Sequence, residues 1–110
     1  MGKLKKYRQI LRGVTEEHAQ TPSPMDWIQS TAACDFAQNN YFLIDFDSSD
    51  KKHYIVFHLR LAEDGKVLIM QDGIEYGVAQ DLMDAGILPA DIILPFKKES
   101  RKNEKEQFAA

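Results

Sequence analysis

Asp64, Gly65 and Lys66 spell the D-x-K half of a restriction-type nuclease site, in which a carboxylate and a lysine work around a divalent cation. That chemistry needs the pair on a strand facing an earlier acid, whereas Asp-Gly between two apolar runs is the dipeptide of a tight hairpin turn. The turn accounts for all three residues. Asp72 and Glu75 could hold a hard cation through carboxylate oxygens, but no third ligand follows at a suitable spacing. The same D-x-x-E spacing is a capping box, which opens a helix. His53 and His58 are five apart, so on a regular strand they point to opposite faces and cannot share a metal. His58 reads as a ring packed beside Tyr54 rather than as a general base. Ser48 and Ser49 between Asp47 and Asp50 have a loop composition, no G-x-S-x-G elbow occurs, and Gly73 and Gly77 do not make a phosphate loop. Cys34, the single cysteine, excludes an intramolecular disulfide and a cysteine metal site, and reads as a small inert core residue. No catalytic residue, metal site or cofactor is expected.

The elements that would position any site are legible from periodicity. Leu4, Tyr7, Leu11, Val14 and His18 recur at spacings of three and four, which predicts an amphipathic helix over residues 1–20. Its basic first turn, with Lys3, Lys5 and Lys6, opposes the helix dipole, so these three are candidate basic contacts, with solvated lysines as the plainer reading. Pro22 and Pro24 break the chain. A strand is expected over residues 28–35, then a turn at Gln38–Asn40, then a strand over 41–46 with Phe42, Ile44 and Phe46 on one face. In the strand 53–61, Ile55, Phe57, Leu59 and Leu61 share the core face. Lys66–Gln71 returns as a strand apolar on both sides, which belongs inside a sheet. The capping box at Asp72 starts a helix with Val78, Ala79, Leu82 and Met83 inward, Gly86 stops it and Pro89 prevents continuation. Ala90–Leu94 allows a short helical turn or a fifth strand, and 97–110 is a charged tail. The expected fold is α+β: one two-layer domain over residues 1–110, with an N-terminal helix, a mostly antiparallel sheet of about four strands and a C-terminal helix.

The net charge of −3 is unevenly spread. Residues 1–12 hold five basic side chains and no acid, residues 13–96 hold four basic against fourteen acidic, and the tail holds five against three. An acidic body repels phosphate, so autonomous DNA binding is not expected, and a basic protein partner suits the body better. No run approaches the roughly 20 apolar residues of a membrane span, and the start MGKLKKYRQ lacks the apolar core of a signal peptide, which predicts a cytoplasmic protein. Trp27, Leu68, Met70, Tyr76 and Phe96 exceed what one face of a small sheet must bury, which suggests a homodimer or partner surface.

The ordered series HLRL, DGK, QDGIEYGVA, a run from Ala85-Gly86 through Pro89 and Asp91-Ile92 to Phe96, and a terminal Phe108-Ala109 resembles the XisI family of small cyanobacterial proteins. The resemblance spans most of the chain and departs from the family pattern at Leu68, Ile74, Pro95 and Lys97. It implies a non-enzymatic controlling factor for programmed excision of a DNA element of the fdxN type. A companion of the XisH type, with a nuclease fold, would be the direct partner and a site-specific recombinase the indirect one. Arg60, Glu75 and Tyr76 near the helix start, and Phe108 at the end, are the expected partner contacts. The alternative is an inhibitor or immunity-type subunit of a neighbouring restriction-like nuclease.

Overall fold

A computed structural model describes residues 2–21 and 23–95. Helix α1 spans Gly2–Gln20, followed by strands β1 (Ile28–Asp35), β2 (Asn40–Asp47), β3 (Lys52–Leu61) and β4 (Val67–Asp72). Helix α2 (Val78–Asp84), a 3-10 turn (Pro89–Asp91) and strand β5 (Ile92–Ile93) complete it. The five strands lie in chain order in one sheet, antiparallel except for the β4–β5 pair. A parallel neighbour needs a crossover, and α2 supplies it. The fold is the expected α+β arrangement, with five strands among the described residues where about four were expected. Residues 90–94 provide both of the forms their composition allowed, a helical turn and then a strand. Among the described residues no helix is long and apolar enough to cross a membrane. The tail, with Phe96 and Phe108, lies outside the described residues.

The core lies between one sheet face and the helices. Tyr7, Leu11 and Val14 of α1 are buried, with Leu4 packed against them, as the stripe requires. From the sheet come Tyr41 and Leu43 of β2, Phe57, Leu59 and Leu61 of β3, and Val67 and Ile69 of β4; Val78 and Leu82 of α2 close the layer. Gly65 takes φ +90° in the β3–β4 turn, and Gly86 takes φ +118° at the end of α2, where the Ile87 N–H reaches back to the Leu82 carbonyl at 2.9 Å.

In β2, Phe42, Ile44 and Phe46 share one face as expected, and it is the face turned away from the helices; Tyr41 and Leu43 supply the core face, and three other expectations are corrected. Both faces of β2 are apolar, so alternation alone does not choose; pairing of Tyr41 with Leu59 and of Leu43 with Phe57 does. In β3, Ile55 leaves the core face and is 43% exposed. Leu43 pairs with Phe57 while the next residue, Ile44, pairs with Ile55, so Val56 is a bulged extra residue and the strand before it changes face. The same bulge brings His53 and His58 to one face, where His53 lies against Phe46 and His58 stacks on Phe42 at 4.2 Å.

The third correction concerns the capping box. Asp72 is the last residue of β4 and pairs with Phe57, and α2 begins only at Val78. Asp72 still caps: one carboxylate oxygen accepts the Ile74 N–H at 3.0 Å and the other accepts the Val78 N–H at 3.0 Å. Between them Gly77, at φ +93°, donates its N–H to the Ile74 carbonyl and closes a turn. Glu75 is exposed and takes no part in the cap. Gly73 permits the turn to start, because its N–H meets the bulged Val56 carbonyl at 2.7 Å and a Cβ there would stand 2.8 Å from that oxygen.

Candidate functional site

The last turns of α1, the 73–77 turn and α2 enclose a groove of about 490 Å³ lined by Val14, Glu17, His18, Thr21, Tyr76, Asp81, Asp84 and Ala85. The helical period that buries Tyr7, Leu11 and Val14 places His18 at the end of the same stripe, edge-on to Phe57 at 5.6 Å. Asp81, in the first turn of α2, meets His18 Nε2 at 2.7 Å, and the same oxygen accepts the Tyr76 hydroxyl proton at 2.8 Å. The carboxylate beside it and burial both raise the Tyr76 phenol above its ordinary pKa, so it remains a neutral donor. Its ring is still 64% exposed.

A histidine oriented by an aspartate is half of a base-catalysed hydrolytic site. Among the described residues lining the groove, no serine or cysteine supplies the other half, a nucleophile. Among the described lining residues the one serine or threonine hydroxyl, that of Thr21, donates to the Glu17 carbonyl at 2.9 Å. What the described lining offers is binding: three carboxylates, from Glu17, Asp81 and Asp84, beside an open aromatic face, with no lysine or arginine among the described lining residues. Carboxylates with an aromatic ring receive a guanidinium or ammonium group, the ring through its π face.

A second polar cluster ties the start of α1 to the 3-10 turn at Pro89–Asp91. Asp91 is 5% exposed and accepts the Tyr7 hydroxyl proton at 2.7 Å and a bond from Lys3 Nζ at 2.9 Å, with Lys66 Nζ at 3.5 Å. These donors, Tyr7 first and then Lys3, hold the Asp91 carboxyl below its usual range. Tyr7 oxygen in turn accepts the Leu88 N–H at 3.2 Å. Every group is occupied by another, which is the signature of a structural brace.

The residues singled out from sequence are dispersed. Tyr76 is on the groove wall, with Glu75 exposed beside it in the chain. Arg60 pairs across the strands with Asn40 and Leu68, on the sheet face turned away from the helices. Lys3 serves the Asp91 brace, and its stem lies over Gly65. Lys5 lines a shallow basic recess with Arg8, Arg12 and Phe36, and Lys6 is exposed. The D-x-K lysine reaches toward Asp91 while Asp64 accepts the Lys66 backbone N–H, so no nuclease arrangement forms. Cys34 packs against the core, and burial raises its thiol pKa. Among the described residues no group of three or more His, Cys, Asp or Glu could hold a metal. Sequence reasoning missed Glu17, His18, Asp81 and Asp84 as one site; the available signal was a histidine at the polar end of an otherwise apolar helical stripe.

The XisI protein family model matches residues 1–110. No curated protein matches the chain. The fold is similar to the crystal structure of a XisI-like protein from Anabaena variabilis ATCC 29413, with TM-score 0.72 and 19% identity over 83% of this chain and 84% of that one. It is also similar to the crystal structure of the fdxN element excision controlling factor XisI from the same organism, with TM-score 0.66 and 25% identity over 86% of each chain. Matched from end to end by that family model, the chain belongs to the XisI family.

Proposed function

We propose that this chain is a controlling factor for excision of a DNA element of the fdxN type, and that it acts through a protein partner with no chemistry of its own. The observation that carries the reading is membership of the XisI family together with the likeness to the excision controlling factor XisI. The groove supports the mode of action. Among the described residues no serine or cysteine lines the groove beside His18 and Asp81, whereas the Tyr76 ring and the carboxylates of Glu17, Asp81 and Asp84 suit a lysine or arginine presented by a basic protein. A nuclease-fold companion is the direct partner in this reading, with a site-specific recombinase acting downstream. Steering of a basic protein toward an acidic body also raises the rate of encounter.

The test is an excision assay on a plasmid bearing the element ends, with recombinase, companion protein and this chain added in combinations. Excision that needs this chain supports the proposal, as does loss of companion binding in Asp81→Asn and Tyr76→Ala proteins that remain folded. Abolition of companion cleavage when the chain is added would establish the inhibitor reading instead. Excision unchanged by the chain would overturn the proposal.

A further inference from the structure

The sheet face turned away from the helices is covered by none of the described elements, and it is apolar. Phe42, Ile44 and Phe46 project from β2, Ile55 from β3, and Leu68 and Met70 from β4. Tyr41, Leu43, Leu59, Val67 and Ile69 on the other face already fill the core, so this second apolar set is not required for the fold. We propose that this face is a homodimer interface, in which two copies of the chain pack sheet against sheet about a two-fold axis lying along β2. The inference stands apart from the excision reading and uses a different surface.

Charge identifies the occupant. Among the strand residues of this face only Asp35 and Arg60 carry formal charge, and they stand in one cross-strand row, Asp35 opposite Asn40 and Asn40 opposite Arg60. They flank β2 on either side at the same height. A two-fold axis along β2 exchanges the β1 and β3 positions, so Arg60 of each copy faces Asp35 of the other, and Asn40 faces its own counterpart. The surface is therefore complementary to itself, as an isologous contact requires. A strongly acidic or basic partner would find a face with no net charge to answer it.

Size agrees. Four strands about 4.8 Å apart, with eight-residue strands at about 3.3 Å per residue, give roughly 500 Å² of plane, which side-chain relief extends toward the roughly 800 Å² per partner of a standard interface. The stack of His58 on Phe42 and the tilted contact of His53 with Phe46 pre-order the aromatic rings, so less rotamer freedom is lost on association. His58 is already held below its ordinary pKa, first by burial and then by Arg60, and is therefore neutral in a neutral interface.

Sedimentation equilibrium on the full chain is the test, with far-UV circular dichroism as the check on folding. The expected result is twice the chain mass, with Ile44→Asp folded and monomeric. Arg60→Asp should raise the dimer dissociation constant at least about tenfold, by setting like charges opposite each other, and the exchange pair Asp35→Arg with Arg60→Asp should restore it. A monomer at every concentration would overturn the proposal, as would an assembly larger than a dimer. So would a dimer indifferent to Arg60→Asp, or a face occupied by the chain's own 96–110 segment, detected as a monomer that dimerises once that segment is removed.

Discussion

Tyr7 donates its hydroxyl proton to Asp91 at 2.7 Å across a separation of 84 residues, and so fastens α1 to the 3-10 turn that leads into β5. The geometry makes a specific stability prediction. Tyr7→Phe keeps the ring in the core but leaves Asp91 short of a donor and the Leu88 N–H short of an acceptor. The expected loss is about 1–3 kcal/mol, the cost of unsatisfied buried groups, and urea unfolding should show a lower midpoint with an unchanged slope.

Acid should act on the same brace. Asp91 is held below its usual carboxyl pKa in the folded chain, by Tyr7 first and by Lys3 second, whereas the unfolded chain restores the ordinary value. Above the ordinary aspartate range both states are ionised and the full contribution is present. As pH falls below that range the unfolded state takes up its proton first, and the contribution is lost through the lowered folded pKa. Asp47 shifts the same way through Ser49, so wild type retains some acid sensitivity from the loop. Melting temperatures of wild type and Asp91→Asn should therefore converge as pH falls from neutral through the carboxylate range, and a gap that stays constant with pH would contradict the assignment.

Two glycines should respond in opposite directions to alanine. Gly13 lies mid-helix with open space around a Cβ, so Gly13→Ala should stabilise by about 1 kcal/mol through helix propensity. At Gly73 the Cβ would stand 2.8 Å from the Val56 carbonyl, at the bulge that sets the face of β3. Gly73→Ala should destabilise, by about 1–3 kcal/mol on the scale of local backbone strain. Thermal melts of the two variants beside wild type decide both signs at once.

The parts of this fold legible from sequence are those in which a residue type answers one physical demand. The α1 stripe has a single apolar side, Asp64-Gly65 suits only a tight turn, and Gly86 suits a left-handed helix stop. Where two solutions satisfy the same residues, the sequence is silent. The strand NYFLIDFD offers an apolar set on each face, and only its neighbours choose between them. A bulge such as Val56 has no local signature, yet it turns Ile55 and His53 over. The D-x-x-E spacing fits a capping box, but continued pairing of Asp72 with Phe57 and the two following glycines defer the helix to Val78. The groove was hidden for a related reason. His18 and Asp81 are 63 residues apart and meet only when α2 packs on α1, so no local window contains both.

The choice of face in β2 can be tested directly. Leu43 is 4% exposed and pairs with Phe57 in the core layer, whereas Ile44, its neighbour, points to the uncovered face. Leu43→Ala removes buried methyl groups and leaves a cavity, which costs about 2–5 kcal/mol in well-packed cores. Ile44→Ala removes more β-branched surface from the strand but opens no cavity among the described residues, so its cost to the folded monomer should stay below about 1.5 kcal/mol. The two substitutions also separate folding from association. Leu43→Ala should lower the unfolding midpoint at every protein concentration by the same amount, because it acts within one chain. Ile44→Ala should lower it most at high concentration, where a dimer would otherwise add stability by mass action. Equal losses from the two, each independent of concentration, would mean that both residues lie in one core and that the register deduced for β2 is wrong.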